Sequence, residues 1–112
     1  MNILIVTNME EVPGKTVVQH LGIVQGSTVQ AKNVFRDIGA SLKNLIGGEL
    51  KSYTNLMNEA RQGAIDRMKQ EAVAIGANAI LNVRFSTSTI TQGAAEMLAY
   101  GTAVIVEENS DG

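Results

Sequence analysis

Residues 97–107 read MLAYGTAVIVE, and how these residues divide decides the fold class. In an extended chain, successive side chains point to opposite faces. One face then takes Leu98, Tyr100, Thr102, Val104 and Val106, and the other Met97, Ala99, Gly101, Ala103 and Ile105. Both faces are apolar. An antiparallel sheet with one face in water alternates apolar and polar side chains. Both faces of this strand are therefore expected to be covered.

Working back along the chain, residues 78–91 (NAILNVRFSTSTIT) alternate. Leu81, Val83 and Phe85 point one way, and Asn82, Arg84 and Ser86 the other. A turn over 92–95 makes the two strands a hairpin. Before them, Leu50 to Ile75 carries Tyr53, Leu56, Met57, Ala60, Ala64, Met68, Ala72 and Ile75 on one face of a long amphipathic helix. The alanines in that stripe imply close approach to the layer beneath, and Gly76 is placed to cap the helix. A shorter helix is expected over Ala31 to Ile46, with Val34, Ile38, Leu42 and Leu45 on its apolar face and Gly47-Gly48 ending it.

At the beginning, Asn2 to Thr7 (NILIVT) reads as a strand buried on both faces. Pro13-Gly14 is a turn signal. Thr16 to Val29 is β-rich, with Gly22 and Gly26 marking a bulge or bend. The expected fold is α+β and two-layered, with about four antiparallel strands, one long helix and one shorter helix. Residues 1–108 form a single domain and 109–112 a polar tail.

The remaining composition mostly excludes. The 112 residues contain no Cys, one His and no Trp. Disulfides, a thiol nucleophile and a thiolate metal centre are ruled out. A net charge of −2 with thinly spread basic residues is no footprint for nucleic acid. No apolar run approaches the ~18 residues of a membrane span, and the short apolar run near the start is no signal-peptide core. A cytosolic protein with neither nucleic-acid nor membrane partners is expected. Two helices on one side of a sheet leave the other side bare. The economical cover for the Met97, Ala99, Ala103 and Ile105 face is a second copy of the chain, in preference to helices straddling the sheet.

A set of motifs in fixed order is similar to the YbjQ-like family of small bacterial proteins. They are Leu21 to Gly26, Arg36-Asp37, Gly47-Gly48-Glu49, Tyr53, Ala60-Arg61, Gly76-Ala77-Asn78-Ala79 and Tyr100-Gly101-Thr102-Ala103-Val104. The resemblance spans about residues 3 to 107. It implies a dodecin-like subunit that assembles into a ring, a pentamer, with sheets joined across subunits. It supplies no activity. The family carries a heavy-metal-binding label, which these residues do not support, because soft metals favour thiolate or imidazole. No cofactor is expected. Without Trp to stack on a flavin ring, the fold-level analogy with dodecins does not extend to flavin.

Candidate binding residues are Arg36, Asp37, Glu49, Tyr53 and Arg61. Glu49 and Tyr53 stand about one helical turn apart and could share a pocket with Arg36 or Arg61, whose guanidinium could reach Asp37 or Glu49. An arginine–carboxylate pair that locks a helix turn or a subunit contact is the preferred reading over an anion-binding or catalytic one. His20 is expected to be satisfied by a backbone group; a ring of His20 side chains around a symmetry axis is the sharper alternative. Glu10 and Glu11 read as solvated, and the Ser86–Thr91 hydroxyls as ordinary strand surface. No phosphate-binding glycine motif and no Ser-His-Asp order is present. The expected function is an oligomeric protein that binds a small molecule or ion between subunits. The competing readings are an enzyme with an inter-subunit Arg/Glu/Tyr cluster and a purely structural module.

Overall fold

The computed structural model describes residues 4–30, 48–91 and 94–109. Five elements follow one another: β1 (Ile5–Val6), β2 (Lys15–Gln30), α1 (Gly48–Ala74), β3 (Ala79–Thr91) and β4 (Ala94–Glu108). The strands form one sheet in the order β1-β3-β4-β2, so β2 is an edge. β3 and β4 form the expected antiparallel hairpin, and β2 pairs antiparallel with β4. β1 is parallel to β3, which corrects the all-antiparallel expectation. A parallel neighbour needs a long crossover, and β2 and α1 provide it. The shorter helix expected over 31–46 lies outside the described residues.

Local chemistry explains most of the boundaries. Val12 to Lys15 is closed by Lys15 N donating to Val12 O at 3.1 Å, with Gly14 at φ +79°. That is a type II turn, which wants Pro at its second position and Gly at its third. Helix α1 ends in a Schellman cap: Ala77 N donates to Ala72 O at 3.0 Å and Gly76 N to Val73 O at 3.0 Å, with Gly76 at φ +90°. Strand β2 carries irregularities between Val17 and Gln19 and between His20 and Gly22, so the bulge predicted at Gly22 is present. Asn109, expected in a loose tail, is tied back: its N donates to Gly14 O at 3.0 Å, and Thr16 Oγ1 donates to its side chain.

Gly26 has a different task. A Cβ there would lie within 3.0 Å of Met68 N, Ala64 O and Arg67 Cβ. The missing side chain lets α1 lie directly on β2, where Thr28 Oγ1 also donates to Ala60 O at 3.0 Å. Ala60, Ala64, Met68 and Ala72 are buried there against Val24, Met97, Ala99 and Ala103. The close approach implied by the alanine stripe is therefore real. Gly101 serves the same layer from within the sheet, since a Cβ there would come to 2.7 Å from Ile80 Cγ2 and 2.9 Å from Leu81 O.

The Met97, Ala99 and Ala103 face of β4 is thus covered by the chain's own helix, which corrects the expectation that this face waits for another copy. The opposite face is covered over part of its length. Ala79, Leu81, Val104 and Val106 form a second buried cluster, packed by Ile5, Val12 and Val17. Beyond that cluster Tyr100 is exposed, while Leu98 and Thr102 are half-buried.

Leu81 and Val83 do not share a face, contrary to their sequence spacing. The β3–β4 register moves from Leu81↔Thr102 to Arg84↔Tyr100, three residues on one strand against two on the other. Asn82, at φ +55°, takes up the extra residue. One bulged residue reverses the facing of everything beyond it, so Val83 joins the helix-side core and Leu81 the opposite cluster.

Candidate functional site

Of the predicted cluster, Glu49, Tyr53 and Arg61 lie on α1. Arg36 and Asp37 lie outside the described residues. Glu49 and Tyr53 occupy the first two turns of α1, four positions apart. Arg61 is twelve positions after Glu49, which places it about 18 Å further along the axis and about 120° around it. Within one chain, α1 does not bring Arg61 to Glu49. Arg61 is exposed and donates instead to Asn58 Oδ1, one turn earlier. His20 is exposed on β2 opposite Val104, beside the second irregularity.

Several motif residues serve the fold. Asn78 is the clearest. Its Nδ2 donates to Val106 O at 2.9 Å, and its Oδ1 accepts from Val106 N at 2.8 Å. Its backbone N donates to Val104 O at 3.1 Å, and its carbonyl accepts from Ile5 N at 3.1 Å. One residue therefore joins the end of the helix to β1 and β4, with its amide side chain standing in for a length of strand. Gly76 caps the helix and Gly101 admits the neighbouring side chains.

The structure also brings together residues that sequence spacing does not. A groove of about 520 Å³ runs along the outer edge of β3 where β1 ends, lined by Val6, Thr7, Asn8, Ile65, Val83, Arg84 and Phe85. Arg84 Nη1 donates to Asn8 O at 2.9 Å and to Val83 O at 3.0 Å, which fixes the guanidinium at the strand edge. Thr7 O accepts from Val83 N at 3.0 Å, and Met9 O accepts from Asn82 N at 2.9 Å. The lining holds no carboxylate and no imidazole, so it offers no proton-transfer pair. Its chemistry is that of an apolar cleft with a cation on the wall. Only the bulge at Asn82 puts Arg84 beside the loop after β1, and alternation alone reads Arg84 as a solvated strand residue. A second depression, of about 470 Å³, is almost wholly apolar and lined by Leu4, Lys69, Gln70, Val73 and Ala74.

Among the described residues no three His, Cys, Asp or Glu side chains converge on a point where a metal could sit. No helix among them is long and apolar enough to cross a membrane.

Comparison with known proteins agrees with this architecture. A crystal structure from Pediococcus pentosaceus, of a protein of unknown function in the DUF74 family, superposes with a TM-score of 0.60 at 14% identity, covering 93% of this chain and 98% of that one. At that identity it bears on the fold alone. A UPF0145 protein of Hahella chejuensis is 58% identical over 93% of this chain and all of its own length. One from Clostridioides difficile is 56% identical over 96% of both chains. Residues 4–107 match the family described as "Putative heavy-metal-binding". The sequence resemblance is thereby confirmed over nearly the whole chain, which belongs to the YbjQ-like family represented by these UPF0145 proteins.

Proposed function

We propose that the chain is one subunit of a homo-oligomeric ring, and that any ligand it holds lies between subunits. One observation carries this reading: on the face of the sheet turned away from α1, large apolar side chains stand exposed beyond Val104 among polar ones such as Gln25, Ser27 and Ser86. Ile23 is 77% exposed there, Tyr100 is exposed on the neighbouring strand, and Val29 is exposed about 20 Å further along β2. Among the described residues no element of the chain lies over this patch. A second copy is the simplest cover for it.

The shape supports the same reading. The radius of gyration is 17.5 Å, against about 13 Å for a compact chain of this length. Sixteen residues of β2 extend over about 50 Å, longer than a lone two-layer subunit of this size needs. The outer edge of β2 and the edge of β3 beyond β1 are both unpaired among the described residues. Such edges are characteristic docking rails for further strands. A subunit count of five and a cytosolic setting belong to the same proposal, the first supported by the family resemblance and the second by the sequence.

The occupant of an inter-subunit site would be a small molecule or ion met by Glu49, Tyr53 and Arg61, with Arg36 and Asp37, from different copies. The roughly 18 Å between Glu49 and Arg61 along one helix means that such a cluster requires two chains. Binding or scaffolding is favoured over catalysis, because the two grooves lined by Arg84 and by Lys69 bring together no acid–base pair.

Native mass spectrometry of the purified protein tests the reading. A mass of several subunits is expected, and mass beyond that of the polypeptides identifies a retained ligand. A monomer at micromolar concentration overturns it.

A further inference from the structure

We infer that the heavy-metal-binding description of the family does not extend to this chain: its donor atoms build no soft-metal centre. The inference starts from chemistry. Heavy divalent and monovalent d-block cations are held by thiolate, imidazole and thioether groups, in sets of two to four. The 112 residues offer no thiolate and a single imidazole. No chain can therefore assemble a Cys₂His₂, Cys₄ or multi-histidine site alone.

The thioethers do not substitute. Met68 is fully buried beneath Gly26, and Met97 is buried in the same core, where Thr87 Oγ1 donates to its sulfur at 3.3 Å. Met57 and Met68 stand eleven positions apart on α1, about 16 Å along its axis. Met9 is exposed on the loop after β1. These four of the five methionines, the ones among the described residues, are used for packing or dispersed, which is the usual work of methionine in a core.

Oxygen donors fare no better among the described residues, where no three carboxylate or imidazole groups converge. Lone surface carboxylates favour calcium, magnesium or manganese over heavy metals. The motif residues that carry the family likeness have other work: Asn78 clamps Val106, Gly76 caps α1, and Gly101 admits Ile80. One imidazole route remains, several copies of His20 meeting around an axis. That route has a single exposed imidazole per copy to draw on, and His20→Ala tests it separately.

The purified full chain is dialysed against micromolar Zn²⁺, Cd²⁺ or, under reductant, Cu⁺, then against metal-free buffer containing excess Mg²⁺, and its metal content is measured. The expected result is far less than one heavy-metal ion per assembly and no shift in the unfolding midpoint, because a ligand that binds the native state raises that midpoint. Ions displaced by Mg²⁺ are weak oxygen-donor binding and agree with the inference. An ion retained at a fixed ratio to chains overturns it, whether the ratio is one per chain or one per ring. His20→Ala then assigns the site: loss of the ion identifies a shared imidazole centre, and retention identifies oxygen or thioether donors. The oligomeric state of the same sample is read independently, so an intact ring without metal leaves the assembly proposal standing.

Discussion

The two faces of the sheet are built by different rules. Against α1 the residues are small and sealed: Val24, Ala99 and Ala103 are fully buried beneath Ala64, Met68 and Ala72, and Gly26 lets helix and strand touch backbone to backbone. The opposite face is sealed only around Val104 and Val106, then opens onto Ile23, Tyr100 and Val29. The same strand, β4, serves both. One face is finished within the chain, and its tolerance of change should be low. The other carries large apolar side chains that nothing in the described chain requires.

Substitutions should separate these roles, and the largest effect belongs on the helix side. Gly26→Val places side-chain atoms inside the contact with Met68 N and Ala64 O. A loss of about 3 kcal/mol or more is expected from overpacking that cannot relax, measured by urea unfolding. Met68→Ala leaves a cavity in the same layer and should cost about 3 kcal/mol. Asn78→Ala strands the N–H and C=O of Val106 at the join between the faces. About 2 kcal/mol is expected, with faster amide exchange at Val106 as a local readout. Arg61→Ala, which removes an exposed contact to Asn58, should change subunit stability by less than about 0.5 kcal/mol. A larger loss in the assembled protein than in a dissociated variant would place Arg61 at a subunit contact.

Local rules made much of this legible. Ala60, Ala64, Met68 and Ala72 on α1, the Gly76 cap and the Pro13-Gly14 turn depend on near neighbours, and the sequence reading of each agrees with the structure, whereas Ile75, read onto the same stripe, is exposed just past the helix end. What it misassigned depends on register. Asn82 inserts one residue into β3, so Leu81 and Val83 part company although they sit two apart. No alternation pattern reveals that, because Asn on a strand resembles any other polar outward residue. Nor does a short apolar strand announce its direction, which is why β1 was expected antiparallel. The face that the sequence assigns to a partner is likewise the wrong one: the small residues at 99, 101 and 103 make room for a helix, whereas Tyr100 and Ile23 are the large groups left outside.

The candidate residues Glu49, Tyr53 and Arg61 were grouped by motif. A helix separates what a motif groups, so their meeting depends on the assembly rather than on the chain. Arg84 was passed over for the converse reason: only the fold brings it against Asn8 O.

The most direct measurement is the solution mass of the wild-type chain beside that of an Ile23→Ser, Tyr100→Ser double variant, by light scattering after size exclusion, with far-UV circular dichroism on both. Both residues are exposed in the subunit, so both proteins should fold. The wild type is expected as a defined oligomer and the variant as smaller species with unchanged secondary structure. A wild-type chain that runs as a monomer, or a variant that keeps the full assembly, would contradict the proposal that the open face of the sheet is covered by another copy.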